Sequence, residues 1–235
     1  MRRFDFSFAR RWRLICLLLI SVFILSCTQD AYEKGEGKYS LMRGDFVEAQ
    51  VDHGKQIVSF TTDDGDQLPL VQPFTAKWIT TADTVYRCML YYNKVEDTQG
   101  KASAEVISIG QVPCPLVKPL KEFDKELRTD PVGLESLWLS RSGKYLNLYL
   151  QLKTGVTEDT SAVQQLAFLS DTLITHANQS TTRHLILHHD QNRVPEHYST
   201  KAYVSIPVAS IGADSVRLSL NTYDGPVEKI LKLKP

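Results

Sequence analysis

The chain has 235 residues, 43% of them hydrophobic, with 27 basic and 27 acidic side chains. That length accommodates two small domains or one large one. A balanced charge argues against a nucleic-acid partner, which leaves a basic surface on the protein that binds it.

The first thirty residues fall into three zones. Arg2, Arg3, Arg10, Arg11 and Arg13 form a basic start, and Leu14 to Leu25 then runs apolar for twelve residues, broken only by Cys16 and Ser21. Such a run is too short to span a bilayer, where about 20 residues are needed, and fits the apolar region of a signal peptide. Ile24-Leu25-Ser26-Cys27 closes it and resembles a lipobox, at which signal peptidase II cuts before a lipid-modified cysteine. Residues 1–26 are therefore expected to be removed and Cys27 to carry the lipid; the alternatives are an uncleaved anchor or plain secretion with Cys27 a bystander. Cleavage takes away five Arg and one Asp, leaving 22 basic against 26 acidic side chains, a net charge of −4. No polybasic second signal remains, so attachment to the membrane rests on the lipid.

Residues 27–37 are polar, contain Gly35 and Gly37, and read as a tether. Strand signals follow. Tyr39 to Val51 is the first candidate, and the β-branched run Gln56 to Thr62 is the second. Asp63-Asp64-Gly65 supplies turn chemistry before an extended stretch from Gln67 to Val71, which suggests a hairpin. Pro69 places that second arm at an edge or a bulge. Thr84 to Val95 puts Tyr86, Cys88, Leu90 and Tyr92 on one face and Arg87 and Asn93 on the other, and Ala104 to Val112 completes the set. Five short strands over residues 38–114 indicate a small Greek-key barrel of the OB kind.

Pro113, Pro115, Pro119 and Pro131 crowd the next stretch, within which Leu120, Phe123 and Leu127 recur at helical spacing. Residues 115–131 read as a Pro-rich linker with one short amphipathic helix. Beyond it, Leu146, Leu148, Leu150 and Leu152 share a face opposite Tyr145, Asn147, Tyr149 and Gln151. Val204, Ile206 and Val208 form a similar set, as do Val216, Leu218 and Leu220. With Leu134–Ser140, Val163–Leu173, Arg183–His189 and Val227–Leu233, residues 132–235 hold about seven strands, the pattern of an antiparallel β-sandwich.

This order of segments resembles the NigD-like lipoproteins of the Bacteroidetes. The residues that carry the resemblance are Gly44-Asp45-Phe46-Val47, Thr62-Asp63-Asp64-Gly65, Lys144-Tyr145-Leu146-Asn147-Leu148 and Leu185-Ile186-Leu187-His188-His189-Asp190. It covers nearly the whole chain and rests on turn and strand signatures, with no catalytic residues among them. It implies a two-domain outer-membrane lipoprotein on the periplasmic or the cell-surface face. It also implies a protective role, because the founding member was named for its place in a bacteriocin gene cluster and taken as an immunity protein. Asp30 and Glu33 lie close behind Cys27, where surface-export signals of such lipoproteins are acidic.

Candidate chemistry is sparse. His184, His188, His189 and His197 fall within fourteen residues, beside Asp190 and Glu196. His184 and His188 share a strand face while His189 points away, so a polar strand end explains them as readily as a metal site does. Cys88 and Cys114 remain once Cys27 is lipidated. An oxidising compartment permits their disulfide, but a simple hairpin puts Cys88 opposite residue 109 and leaves Cys114 about 15 Å further on, making them a core and a linker cysteine. Arg43-Gly44-Asp45 sits in a strand, with Gly44 marking a bulge. Asp83-Thr84-Val85, Asp171-Thr172-Leu173 and Asp214-Ser215-Val216 resemble Bacteroidetes O-glycosylation triplets, with Thr84, Thr172 and Ser215 as acceptors. Tyr145 and Tyr149 form either a binding patch or a cover for the linker helix or the other domain.

No nucleophile elbow, P-loop, Rossmann fingerprint or Cys-x-x-Cys occurs. The expectation is a non-enzymatic envelope lipoprotein without a cofactor, which binds a protein or peptide and is held at the membrane by its lipid. The other reading is a structural or accessory subunit of an outer-membrane or adhesin assembly.

Overall fold

The computed structural model describes residue 37 and residues 39–234; residues 1–26, expected as a signal peptide, and Cys27 lie outside the described residues. A turn opens the described chain, closed by Ser40 N–H donating to Gly37 C=O at 2.9 Å.

Five strands then close a barrel: β1 (Arg43–Val51), β2 (Ile57–Thr62), β3 (Gln67–Phe74), β4 (Thr84–Glu96) and β5 (Ala102–Gln111), in the order β1-β2-β3-β5-β4. This is the strand order of an OB-type barrel. Alternation decides the faces. Val47, Ala49 and Val51 of β1 point inward to Ile57, Phe60, Leu68, Leu70, Leu90, Tyr92 and Ala104. Phe60 and Tyr92 meet edge to face at 5.0 Å in the middle of that core, and full burial of one such aromatic side chain contributes about 1.5–3 kcal/mol.

Asp63-Asp64-Gly65 does turn β2 into β3, with Gly65 at φ 91° and its N–H on Thr62 C=O at 3.0 Å. Pro69 lies opposite Ser59, next to a register shift between Ile57 and Ser59. On its other side β3 meets β5 through one parallel pair, Leu70 with Ala104. The expected bulge at Gly44 is absent, since β1 pairs regularly with β4 from Arg43 through Val51. Gly44 is needed for another reason: a Cβ there would stand 2.9 Å from Cε1 of Tyr91.

The second half forms two sheets. One is ordered β13-β12-β10-β9-β6 and the other β11-β8-β7. Their strands are β6 (Lys118–Pro119), β7 (Gly133–Leu139), β8 (Tyr145–Thr154), β9 (Gln165–Thr175), β10 (Thr181–Asp190), β11 (Tyr198–Pro207), β12 (Ser215–Thr222) and β13 (Gly225–Lys232). Leu146, Leu148 and Leu150 of β8 face Leu185 and Leu187 of β10 and Val216 and Leu218 of β12 across a dry core. β10 and β12 run parallel, because the chain visits the other sheet as β11 in between. Val208, expected on a strand with Val204 and Ile206, instead opens the one-turn helix α1 (Val208–Ile211). Pro207 precedes α1, and Gly212 ends it in the left-handed conformation at φ 63°.

The Pro-rich stretch holds one short helical turn, a 3-10 turn at Leu120–Glu122. It is shorter than the spacing of Leu120, Phe123 and Leu127 suggests, because Phe123 is already extended at φ −84°, ψ 115°. The rest of the stretch is a strap on the sandwich. Lys118 and Pro119 add β6 beside β9, the Phe123 ring packs on His188 at 4.7 Å, and Thr129 bridges to His189.

Candidate functional site

The most heavily built polar cluster lies where the outward face of β4 meets the outward face of β8. Arg87 donates from both terminal nitrogens to the Asp63 carboxylate, each at 2.7 Å. Its Nε–H reaches Ser205 Oγ at 3.3 Å, and Ser205 Oγ–H donates to Asn147 Oδ1 at 2.7 Å. The guanidinium lies 4.2 Å from the Tyr145 ring centre and 5.2 Å from that of Phe46. Its side chain is 2% exposed, so the charge is stable there only because a carboxylate, hydrogen bonds and aromatic faces surround it.

The same seam carries further bonds. Glu48 accepts from Lys144 Nζ at 2.8 Å and from Tyr145 OH at 2.9 Å. Burial alone would raise the Glu48 carboxyl, but these two hydrogen bonds together with the charges of Lys144 and Arg87 outweigh it and hold the pKa below its ordinary value. Burial, and then the bond to Glu48, push the Tyr145 hydroxyl up. Phe46 meets Tyr203 at 5.4 Å and Trp138 at 5.7 Å, and Ser205 N–H donates to Pro113 C=O at 3.0 Å. Tyr145 therefore belongs to a junction in which two half-polar sheet faces cover one another, and Tyr149 packs at 4.8 Å on Tyr203, the residue that meets Phe46. The sequence signals for it are the outward tyrosines of β8 and Arg87, a lone charge inside the otherwise apolar and aromatic run from Val85 to Tyr92.

On the barrel surface, the facing edges of β3 and β5 share no ladder beyond Leu70 and Ala104 among the described residues. A groove of about 490 Å³ opens beside that pair, with Val71, Phe74, Val95, Val106 and Ile107 as its apolar lining and Glu105 as its charge. Ile107 is the extra residue of a bulge in β5, left out of the register as Tyr91 pairs with Ser108 and Tyr92 with Val106.

The histidines are engaged one by one. His184 Nδ1 stands 2.7 Å from Asp171 Oδ1 and its Nε2 2.7 Å from Ser219 Oγ. His188 Nδ1 accepts Arg128 N–H at 3.1 Å, and burial lowers its pKa. His189 Nδ1 is 2.9 Å from Asp130 C=O, and His197 lies near Gly155 in a loop. Among the described residues, no three His, Cys, Asp or Glu side chains come together as a metal cluster.

Both cysteines are free thiols in place of the disulfide that the sequence allows. Cys88 lies opposite Gln111 rather than residue 109, because the turn at Asp97 and the bulge at Tyr91 shift the register. Burial in the barrel core pushes its thiol up to about 12, while Cys114 is on the surface. Of the candidate glycosylation residues, Thr84 and Ser215 begin β4 and β12 and are half-buried, and Thr172 is exposed on β9.

Residues 115–232 match the family described as the NigD-like C-terminal beta sandwich domain. A NigD-like immunity protein from Bacteroides caccae has a similar structure, with a TM-score of 0.64 at 24% identity over 80% of this chain and 91% of that one. A DUF1344 protein of unknown function from Bacteroides vulgatus aligns with a TM-score of 0.58 at 16% identity over 81% and 90% of the two chains. A candidate lipoprotein from Bacteroides fragilis aligns with a TM-score of 0.58 at 12% identity over 81% and 96%. No curated protein matches the sequence. Among the described residues, no helix is long and apolar enough to cross a membrane.

Proposed function

The chain belongs to the NigD-like family, and on that premise we propose that it is an outer-membrane lipoprotein, anchored by Cys27, that protects its producer by binding a peptide bacteriocin. The role needs a binding surface and no turnover. The family and the immunity protein from Bacteroides caccae support the protective reading, and the lipobox at Cys27 supports the anchor.

The observation that carries the binding role is the groove beside the single pair Leu70–Ala104. Its volume of about 490 Å³ lies in the range of sites that enclose small ligands or side chains. The facing edges of β3 and β5 offer backbone donors and acceptors to an extended segment, and the apolar lining takes its alternate side chains. Val71, 52% exposed, stands at the rim.

The test is a deletion strain challenged with bacteriocins encoded by neighbouring genes, complemented with the native chain or with Val71→Asp. Restored resistance with the native chain and its loss with the variant, at unchanged protein level, is the expected result. Unchanged sensitivity on deletion removes the immunity role. A stoichiometric envelope partner recovered from detergent extracts in that case transfers the assignment to an accessory subunit.

A further inference from the structure

We propose that Asp171, His184 and Ser219 form a nucleophilic site that hydrolyses uncharged carboxylic esters with a small apolar acyl group, on the outward face of the five-stranded sheet. The three residues come from β9, β10 and β12. Asp171 Oδ1 is 2.7 Å from His184 Nδ1, and His184 Nε2 is 2.7 Å from Ser219 Oγ. A carboxylate only accepts, so Nδ1 carries a proton, and in the neutral imidazole the Nε2 lone pair faces the serine hydroxyl. This is the relation of nucleophile, base and orienting acid that acyl-transfer sites use, whatever the fold or chain order.

A backbone irregularity makes the arrangement possible. In the β9–β10 ladder His184 pairs with Thr172 and Leu185 with Ser170, so Asp171 is the extra residue of a bulge. With Thr172 opposite His184, strict alternation would turn Asp171 to the other face of the sheet; the bulge keeps it on the face of His184. Bulges re-aim side chains in this way and are frequent beside active sites. The Asp171 side chain is 29% exposed and that of His184 21%, so the group is sheltered and still reachable.

A place for substrate adjoins the serine. Ser219 lines an open groove of about 510 Å³ with Ile186, Leu220, Asn221, Pro226 and Val227. Its remaining wall includes Glu228, which Arg217 Nε approaches at 3.7 Å, so the charged rim is internally compensated and favours an uncharged ligand. Asn221 stands two residues from Ser219 on the same face, and its Nδ2 donates one N–H to Thr129 C=O at 3.0 Å. The second N–H remains for a developing oxyanion, a role that a side-chain amide can fill.

In the reaction Ser219 Oγ bonds to the ester carbonyl carbon as its proton passes to His184 Nε2, with Asp171 stabilising the imidazolium. The tetrahedral oxyanion then collapses, the ester C–O bond breaks, and the departing alcohol takes the proton from His184. Water attacks the acyl-serine, gives its proton to His184, and releases the carboxylic acid as Ser219 regains its hydrogen. Neither the barrel groove nor immunity enters, so failure of one assignment leaves the other standing.

The experiment treats the full lipidated chain in detergent micelles with a fluorophosphonate probe and, separately, with p-nitrophenyl butyrate. The expected result is one adduct mapped to Ser219, absent in Ser219→Ala and formed at least about 100-fold more slowly in His184→Gln and Asp171→Asn. Ester hydrolysis should fall in parallel in all three variants. Thermal melting of Ser219→Ala should match the native chain, since the serine faces outward. The assignment is overturned if no adduct forms on Ser219, if labelling of His184→Gln or of urea-unfolded protein is as fast as that of the native chain, or if hydrolysis survives in Ser219→Ala.

Discussion

Replacing Arg87 by Met removes the charge from the junction while keeping much of the aliphatic length. Each of its two 2.7 Å bonds to Asp63 is charge-assisted and contributes about 1.5–3 kcal/mol. Stranding one member of a buried ion pair costs about 3–5 kcal/mol. The Asp63 side chain is 19% exposed, so water partly rescues it and the lower end, about 3 kcal/mol, applies. Loss of the contacts with Tyr145 and Phe46 adds about 0.5–1 kcal/mol. A chain of this size shifts its midpoint by about 2–4 °C per kcal/mol, so melting should drop by about 10 °C. Calorimetry of the mature chain should also show the single transition dividing into barrel and sandwich unfolding. In a double-mutant cycle with Asp63→Asn, the two changes together should cost at least about 1.5 kcal/mol less than their sum. A loss under about 1 kcal/mol with one intact transition would refute the reasoning, because the pair would then behave as an exposed ion pair does.

Three further outcomes follow from local geometry. Gly44→Ala should destabilise by about 0.5–1 kcal/mol in urea titration, since the new Cβ meets the Tyr91 ring at 2.9 Å but that ring is half out in water and can swing. His188 has a pKa below its ordinary 6.5, chiefly through burial, so the unfolded chain binds its proton first. Stability should therefore be full above about pH 6.5 and decline as pH falls toward the folded value, whereas His188→Asn, which keeps an acceptor for Arg128 N–H, should flatten that acid limb in pH-dependent melting. Ellman's reagent should titrate Cys114 slowly, since partial burial raises its thiol to about 11, and leave Cys88 unreacted in the native protein, with both reacting in guanidinium.

Strand positions and the two β architectures are legible because alternation is a one-dimensional signal. Leu146, Leu148 and Leu150 announce an inward face by themselves, and Val216, Leu218 and Leu220 announce another. The junction is not legible, because alternation says only that Arg87, Asn147 and Tyr145 point away from their own cores. It cannot say that two outward faces meet. The strap is misjudged for a related reason: Leu120 and Phe123 are spaced as in a helix, yet Phe123 is extended and finds its partner in His188, more than sixty residues on. The Asp171–His184–Ser219 group escapes reading altogether. It spans three strands and depends on a bulge, which shifts a side chain without leaving a mark in composition.

Every barrel strand lies between Arg43 and Gln111, whereas the partners of Arg87 across the junction, Asn147 and Ser205, come much later in the chain. A chain that emerges N-terminus first during synthesis can therefore close the barrel around Phe60 and Tyr92 before the sandwich exists. During that interval the Arg87–Asp63 pair and the ring of Phe46 face water. Arrival of β8 and β11 then buries the pair, so completing the sandwich withdraws from water a charge that the barrel has already placed.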